Sequence, residues 1–380
     1  MDSSPLHTLP QETLHQIFSH LPLRHIAAAK CVCRALRSTL SSPPFLHLLH
    51  SHPSPDHHLP LLALKPSHRH VSAHPTLHTF DPRSNRWLRF SLSFLPFSSL
   101  HPITSARGLL YLWATAAPNP QIPQPQNSQK ALIVCNPLTG QFKILPQLGS
   151  AWSRHGSVLA GSLNIVLVLT ELAILYYSDN HNSNNPNWLK FSSNLPSKPR
   201  SPVLVSDFIL TLCDLGSPWR SQWAMFKTKI VDMGKAMQWV KLEKREWGDI
   251  FDVLKRPRLV KSGNDGKVFM VGGLKSSYAL QSACTTILIL RLDLESMEWE
   301  EAGRMPMEMY RCFLESSKFK VFGGGNRICF SAKRVGRMAL WEEDNGGDGK
   351  TEWRWVEGLP GNGDGLCRGF TFEAKLDAMP

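Results

Sequence analysis

Residues 132–146 read LIVCNPLTGQFKILP: an apolar run ending at Cys135, a turn carrying Asn136 and Gly140, an aromatic at Phe142, and an exit through Leu145-Pro146. An apolar run bounded by Asn, Pro and Gly predicts a strand leading into a tight turn. The same order recurs in Phe80-Asp81-Pro82 to Trp87 and Pro96, and in Asn187 to Trp188 and Pro196. It continues in Asp232 to Trp239, in Asp293 to Trp299 and Pro306, and, more diverged, from Trp341 to Trp353 and Pro360. The aromatics at 87, 142, 188, 239, 299 and 353 are 55, 46, 51, 60 and 54 positions apart. Six copies at this period predict a β-propeller. One blade leaves a hydrophobic sheet face uncovered, so the blades must stack in a ring. The expected limits are 57–97, 98–148, 149–198, 199–250, 251–307 and 308–362, with Gly365 to Leu376 as the strand that closes the ring on the first blade.

A second marker is the glycine pair. Gly272-Gly273 and Gly323-Gly324 lie 51 positions apart, each after a strand-like run, Lys267 to Val271 and Phe319 to Phe322. A glycine pair after a strand permits a tight turn or the close approach of a neighbouring strand. Double glycine followed by a later Trp resembles the kelch repeat, whose blade is a four-stranded antiparallel sheet; the match is good in copies five and six and poor in the first four. Asn136-Pro137-Leu138-Thr139-Gly140 with Leu145-Pro146 resembles the plant F-box and kelch-associated family, in the branch around the floral regulator Unusual Floral Organs.

Ahead of the repeats, Leu9 to Phe45 follows a different period. Leu14, Ile17, Phe18 and Leu21 fall at helical spacing, and Thr8 with Gln11 has capping-box spacing around Pro10. Pro22 stops that helix. A second stripe follows at Ile26, Ala29, Cys33, Leu36 and Leu40. About forty residues cannot enclose a sizeable core, so this surface is expected to be covered by the rest of the chain or by another protein. Leu9-Pro10, Leu21-Pro22 and Val32-Cys33-Arg34 in this order resemble the F-box, with Thr13, Ala35 and Leu36 as mild departures. The resemblance implies contact with a Skp-type adaptor, and through it a cullin, by Leu9, Pro10, Leu14, Ile17, Phe18, Leu21, Pro22, Ile26, Val32, Cys33 and Leu36. The expected organisation is an α-helical module at 1–50, a linker at 51–60 within the Ser-, Pro- and His-rich stretch 41–60, and an all-β propeller at 57–376 of six kelch-like four-stranded blades.

Composition narrows the function classes. The chain has 380 residues with 42 Lys and Arg against 30 Asp and Glu, a net charge of +12. The basic residues are dispersed, without the patterns of nucleic-acid modules, which argues against nucleic acid as partner; a basic surface suits an acidic or phosphorylated client. Lys255, Arg256, Arg258 and Lys261 form the tightest cluster and read as a loop entering a strand. Fourteen of sixteen histidines precede position 102. His57-His58 and His68 with His70 lack carboxylate or thiol partners at ligand spacing, so no metal and no cofactor is expected. Eight dispersed cysteines predict free thiols in the cytoplasm or nucleus. The longest apolar run, Leu163 to Tyr177, contains Glu171 and is too short to span a bilayer, and Met1 to Leu6 has no secretory pattern. No nucleophile elbow, phosphate loop or HExxH motif occurs, so no enzyme is expected.

Arg154, Arg200, Arg258, Arg311 and Arg368 each precede an expected innermost strand at intervals of 46, 58, 53 and 57. In a propeller such positions converge on one mouth of the channel, where guanidinium groups favour a carboxylate or phosphate. Trp152, Trp219 and Tyr310 are further expected client contacts on loops. The resemblance implies a substrate-recognition subunit of an SCF-type ubiquitin ligase that holds a client on its propeller; a non-proteolytic scaffold or transcriptional cofactor is the alternative.

Overall fold

The computed structural model describes residues 9–65, 75–116, 130–161, 165–178, 187–230, 238–248, 250–263, 266–275, 284–314, 319–344, 350–360 and 366–380. Thr8, Met1 to Leu6, His68, His70, Asp232 and Gly365 lie outside them. Four helices come first: α1 (Gln11–Ser19), α2 (Leu23–Val32), α3 (Arg34–Thr39) and α4 (Pro43–Ser51). Pro10 and Pro22 cap α1 and α2, with ψ near 150°.

The second stripe, read as one short helix, is carried by two, α2 and α3, divided at Cys33. Its backbone is extended, and its Sγ accepts from the Leu36 amide at 3.4 Å as the cap of α3. Helix α4 occupies part of the Ser-, Pro- and His-rich stretch 41–60 and ends at Ser51, where the expected linker begins. Pro43 and Pro44 sit in its first turn, where a missing N–H costs nothing, and Phe45, Leu46 and Leu49 bury its inner face.

The rest of the described chain is six four-stranded antiparallel sheets. Blade one holds β1 (Leu59–Leu64), β2 (Thr76–Asp81) and β3 (Arg86–Ser91). Blade two is β4 (Phe97–Ala106), β5 (Leu109–Ala116), β6 (Lys130–Cys135) and β7 (Phe142–Ile144). After α5 (Ser150–His155), blade three runs through β8 (Ser157–Ala160), β9 (Ile165–Leu169), β10 (Ala173–Ser178) and β11 (Leu189–Ser192). Blade four is β12 (Arg200–Val205), β13 (Phe208–Asp214), β14 (Trp223–Lys229) and β15 (Val240–Leu242). Blade five is β16 (Leu254–Lys261), β17 (Lys267–Lys275), β18 (Cys284–Asp293) and β19 (Trp299–Arg304). Helix α6 (Met307–Leu314) leads into blade six, β20 (Phe319–Gly324), β21 (Arg327–Ala332), β22 (Met338–Glu343) and β23 (Thr351–Val356).

The last strand, β24 (Gly369–Ala374), pairs with β1 from Leu59 opposite Ala374 to Leu64 opposite Gly369. It is therefore the innermost strand of blade one, and the ring closes as expected. The inner strands β24, β4, β8, β12, β16 and β20 are successive neighbours around the channel. From residue 165 on, the apolar run expected at 163–177 forms the β9–β10 hairpin, whose strands are buried between blades.

The repeat seen in the sequence is the hairpin between third and fourth strands. Asp81, Asn136 and Asp293 stand at its start, and each accepts the amide two residues on: Arg83 at 3.0 Å, Leu138 at 2.9 Å and Glu295 at 2.9 Å. The spaced aromatics begin the outermost strand. Two of them also tie blades together: Trp87 Nε1 donates to the Glu357 carbonyl of blade six at 2.8 Å, and Trp188 Nε1 to the Pro146 carbonyl beyond blade two at 2.8 Å.

The glycine pairs, in contrast, are not structurally equivalent. Gly272 and Gly273 lie within β17, a second strand, where a Cβ would meet Leu254 and Cys284. Gly323 and Gly324 end β20, a first strand; a Cβ on Gly323 would strike the Arg327 carbonyl. Close strand approach explains both, but their 51-residue spacing does not mark one position of the repeat.

Adjacent blades bury one apolar cluster at each of the six interfaces. The cluster between blades one and two is continuous with the helices: Phe18, Ile26, Leu40 and Phe45 join Leu61, Leu77, Leu112 and Phe372. Polar ties reinforce the contact. Arg24 of α2 is ion-paired with the buried Asp81, and His57 Nε2 is 2.6 Å from the Ser19 carbonyl. Leu138 and Leu376 face Leu23 and Ala27 of α2 across a small cleft.

Asn136 is fully buried and holds the C-terminal segment. Its Nδ2 donates to the carbonyls of Lys375 at 3.0 Å and Ala378 at 2.8 Å. Asn136→Ala leaves those partly buried carbonyls short of a donor and is expected to cost about 1–3 kcal/mol, read as a lower denaturant midpoint at unchanged slope. Removing residues 369–380 exposes the β1 edge and uncovers the cluster beneath the helices, so the truncated chain is expected to aggregate in size-exclusion chromatography. A monomeric truncation of unchanged melting temperature would contradict closure by β24.

Candidate adaptor surface and channel mouth

The helical module divides the eleven expected adaptor contacts into three sets. Phe18 and Ile26 are buried in the cluster shared with the propeller, 8% and 0% exposed, and hold the module together from inside. Leu14, Leu21 and Leu36 are half-buried against the same cluster, and Pro22 and Cys33 are half-buried at helix starts. Leu9, Pro10, Ile17 and Val32 point to solvent, with Ile17 at 45% and Val32 at 74% exposure. On α1 the exposed Thr13, Ile17 and His20 share one side, opposite the inward Leu14 and Phe18. The propeller thus covers one apolar stripe of the module and leaves a second set of apolar side chains open.

The other candidate site is the channel mouth at the start of the inner strands. Strands β12 and β16 carry the same irregularity there. Ser201 and Arg256 have φ of 48° and 54°, each is followed by a proline, and the pairing register shifts across each of them. A left-handed non-glycine residue at corresponding places in adjacent strands is a costly conformation that the surroundings must impose. The bulges are joined: Arg200 Nε donates to the Pro257 carbonyl at 3.0 Å, and Arg258 Nη1 to Ser201 Oγ at 3.5 Å. Arg200 also lies over the Trp223 ring, 4.9 Å from its centroid.

Across the ring, Arg368 immediately precedes β24, and its carbonyl accepts from the amide of Lys65 at 2.8 Å. These cations depress one another. Burial, with Arg368 beside it, lowers Lys65 to about 8. Burial, then Arg258 and Arg256, lowers Arg200 to about 10. Arg258 is lowered by burial and by Arg368 and Arg256.

Three of the five expected arginines, Arg200, Arg258 and Arg368, therefore meet at the mouth. Arg154 lies just ahead of the inner strand β8, as expected, exposed in the last turn of α5, whereas Arg311 is exposed on α6, whose helical turns separate it from the start of β20. Arg256 and Lys65 complete the group instead. The repeated residue-then-proline of Ser201-Pro202 and Arg256-Pro257 was the available signal for Arg256, whereas Lys65 is found only through the pairing of β1 with β24.

The aromatic candidates also separate. Tyr310 is not a surface contact: it is 7% exposed in α6, and its hydroxyl donates to the Cys284 carbonyl at 2.8 Å. Trp152 is half-buried on α5, against the cluster between blades two and three. Trp219 is 95% exposed at the tip of the β13–β14 connection. That connection is fixed at its base by Asp214, which accepts the amides of Gly216 at 3.0 Å and Gln222 at 2.8 Å. Among the described residues no group of three His, Cys, Asp or Glu is arranged to hold a metal ion.

Comparison with known proteins agrees with this architecture. The F-box domain family matches residues 6–48, and the Kelch motif family matches residues 255–306, which fall on blade five. SKP1-interacting partner 15 of Arabidopsis thaliana is 55% identical over 392 aligned positions, covering 100% of both chains. The Arabidopsis protein UNUSUAL FLORAL ORGANS is 22% identical, over 96% of this chain and 81% of its own. Among solved structures, TolB from Acinetobacter baumannii aligns with 82% of this chain and 66% of its own at 10% identity and a TM-score of 0.45. With an F-box packed on a six-bladed kelch-type propeller and 55% identity along its entire length, the chain belongs to the F-box/kelch family that contains SKP1-interacting partner 15.

Proposed function

We propose that this chain is the substrate-recognition subunit of an SCF-type cullin ubiquitin ligase. The carrying observation is the helical module itself: its core is satisfied by the propeller, yet Leu9, Pro10, Ile17 and Val32 remain open to solvent. The name of SKP1-interacting partner 15 supports a Skp-type adaptor as the protein that covers them. Through that adaptor the chain joins a cullin, in the cytoplasm or nucleus, and the propeller holds a client protein.

The chain supplies no nucleophile in this scheme. Its contribution is proximity: a client lysine held on the assembly meets the charged conjugating enzyme at high effective concentration. A rigid receptor serves this better than two domains on a loose linker. The shared core, the Arg24–Asp81 ion pair and the His57 contact to Ser19 make this receptor rigid.

The test is co-purification with a Skp-type adaptor. Ile17→Asp with Val32→Asp places charge on an interface residue of each helix, each costing about 1–3 kcal/mol of binding, so recovery of adaptor is expected to fall at least tenfold. Both positions are solvent-exposed, so the melting temperature is expected to hold within about 1–2 °C. Leu9→Ala with Pro10→Ala is expected to weaken recovery in the same direction. Undiminished adaptor binding by the Asp variant would remove the receptor reading.

A further inference from the structure

We propose that the mouth formed by Arg200, Arg256, Arg258, Arg368 and Lys65 is an anion site for a phosphorylated segment of the client. This deepens the receptor reading and rests on it only for the client being a protein.

The geometry argues for a built site. The cations come from blades four, five and one, so residues distant in sequence are delivered to one opening by the ring. Arg200 and Arg258 are half-buried and fixed by hydrogen bonds across the joined bulges. Arg256 adopts a left-handed backbone and carries an exposed side chain whose charge acts on both Arg200 and Arg258. Lys65 is half-buried at the end of β1, with its ammonium 5.7 Å from the centroid of the Phe370 ring. The carboxylate that acts on Arg200, Asp214, already accepts two backbone amides.

Charge decides between anions. Holding like charges together in partly desolvated positions is unfavourable until an anion arrives. A carboxylate brings a single charge and two oxygens, enough for one guanidinium fork. A phosphoryl group brings about −1.5 to −2 and three acceptor oxygens, and engages several donors at once. Five cations at one opening therefore fit a phosphorylated side chain better than an isolated Asp or Glu.

The test uses the full chain purified with a Skp-type adaptor and immobilised. It is challenged with three degenerate peptide pools carrying phosphoserine, serine or Glu-Glu at the central position, the last matching the phosphate's charge. At 150 mM salt, retention of the phosphoserine pool is expected to exceed both others at least tenfold. Arg256→Glu with Arg368→Glu, both at exposed positions, is expected to abolish the preference and leave melting temperature and adaptor recovery unchanged. Equal retention of the Glu-Glu pool, a preference that survives the double reversal, or full displacement by a uridine oligonucleotide at equal phosphate concentration would each overturn the proposal. Adaptor recovery is scored on the same samples: its loss with the phosphoserine preference intact would count against the receptor reading and leave the mouth standing.

Discussion

The pairing of β24 with β1 is the constraint on which the rest of this molecule depends. Six register pairs, from Leu59 opposite Ala374 to Leu64 opposite Gly369, turn an open array of blades into a ring without exposed inner edges. The same strand covers the helices, since Phe370, Phe372, Ala374 and Leu376 belong to the cluster that holds Phe18, Ile26 and Phe45. It also brings Arg368 to Lys65 at the mouth. Closure, docking of the helical module and assembly of the basic opening are three results of one strand finding one edge.

This coupling changes what an F-box means structurally here. The four helices are too few to bury both of their apolar faces, and the molecule resolves the problem by division: one face is spent on blades one and two, the other is left open. Asp81 illustrates the economy. Its carboxylate orders the β2–β3 turn through Arg83 and Ser84 and also receives Arg24 from α2. The residue type required by the turn of a repeat is reused as the anchor of the neighbouring module.

Much of this was legible in the sequence, for physical reasons that differ by element. The third-to-fourth-strand hairpin stands out because its turn demands an Asx side chain and its outer strand an aromatic, so Asp81, Asn136 and Asp293 recur ahead of Trp87, Phe142 and Trp299. Helix α4 was hidden because Ser, Pro and His dominate its composition, although Pro43 and Pro44 ahead of Phe45, Leu46 and Leu49 satisfy a first helical turn and an inner face. The glycine pairs misled in phase, since close approach of strands can be needed in a first or a second strand alike. At the mouth, counting positions ahead of an inner strand failed for Arg311, where α6 intervenes. It missed Arg256 because a bulge moves a residue onto the rim without changing the length of the repeat. The division of adaptor contacts into buried and open residues was beyond the helical period alone, because the covering surface, blades one and two with β24, is assembled from distant sequence.

The shared core carries a consequence for synthesis. Phe45 leaves the ribosome 327 residues ahead of Phe372, yet both belong to one cluster. At ~5–20 residues per second the helices wait on the order of tens of seconds before the strand that covers them exists. During that interval both apolar faces of the module are uncovered, and a nascent or truncated chain presents to chaperones and proteases a surface that the closed ring has hidden. Completion of the ring thereby acts as a checkpoint on the helical module: a chain cut short anywhere before β24 lacks the cover that holds the module in shape, a difference that requires no dedicated sensor.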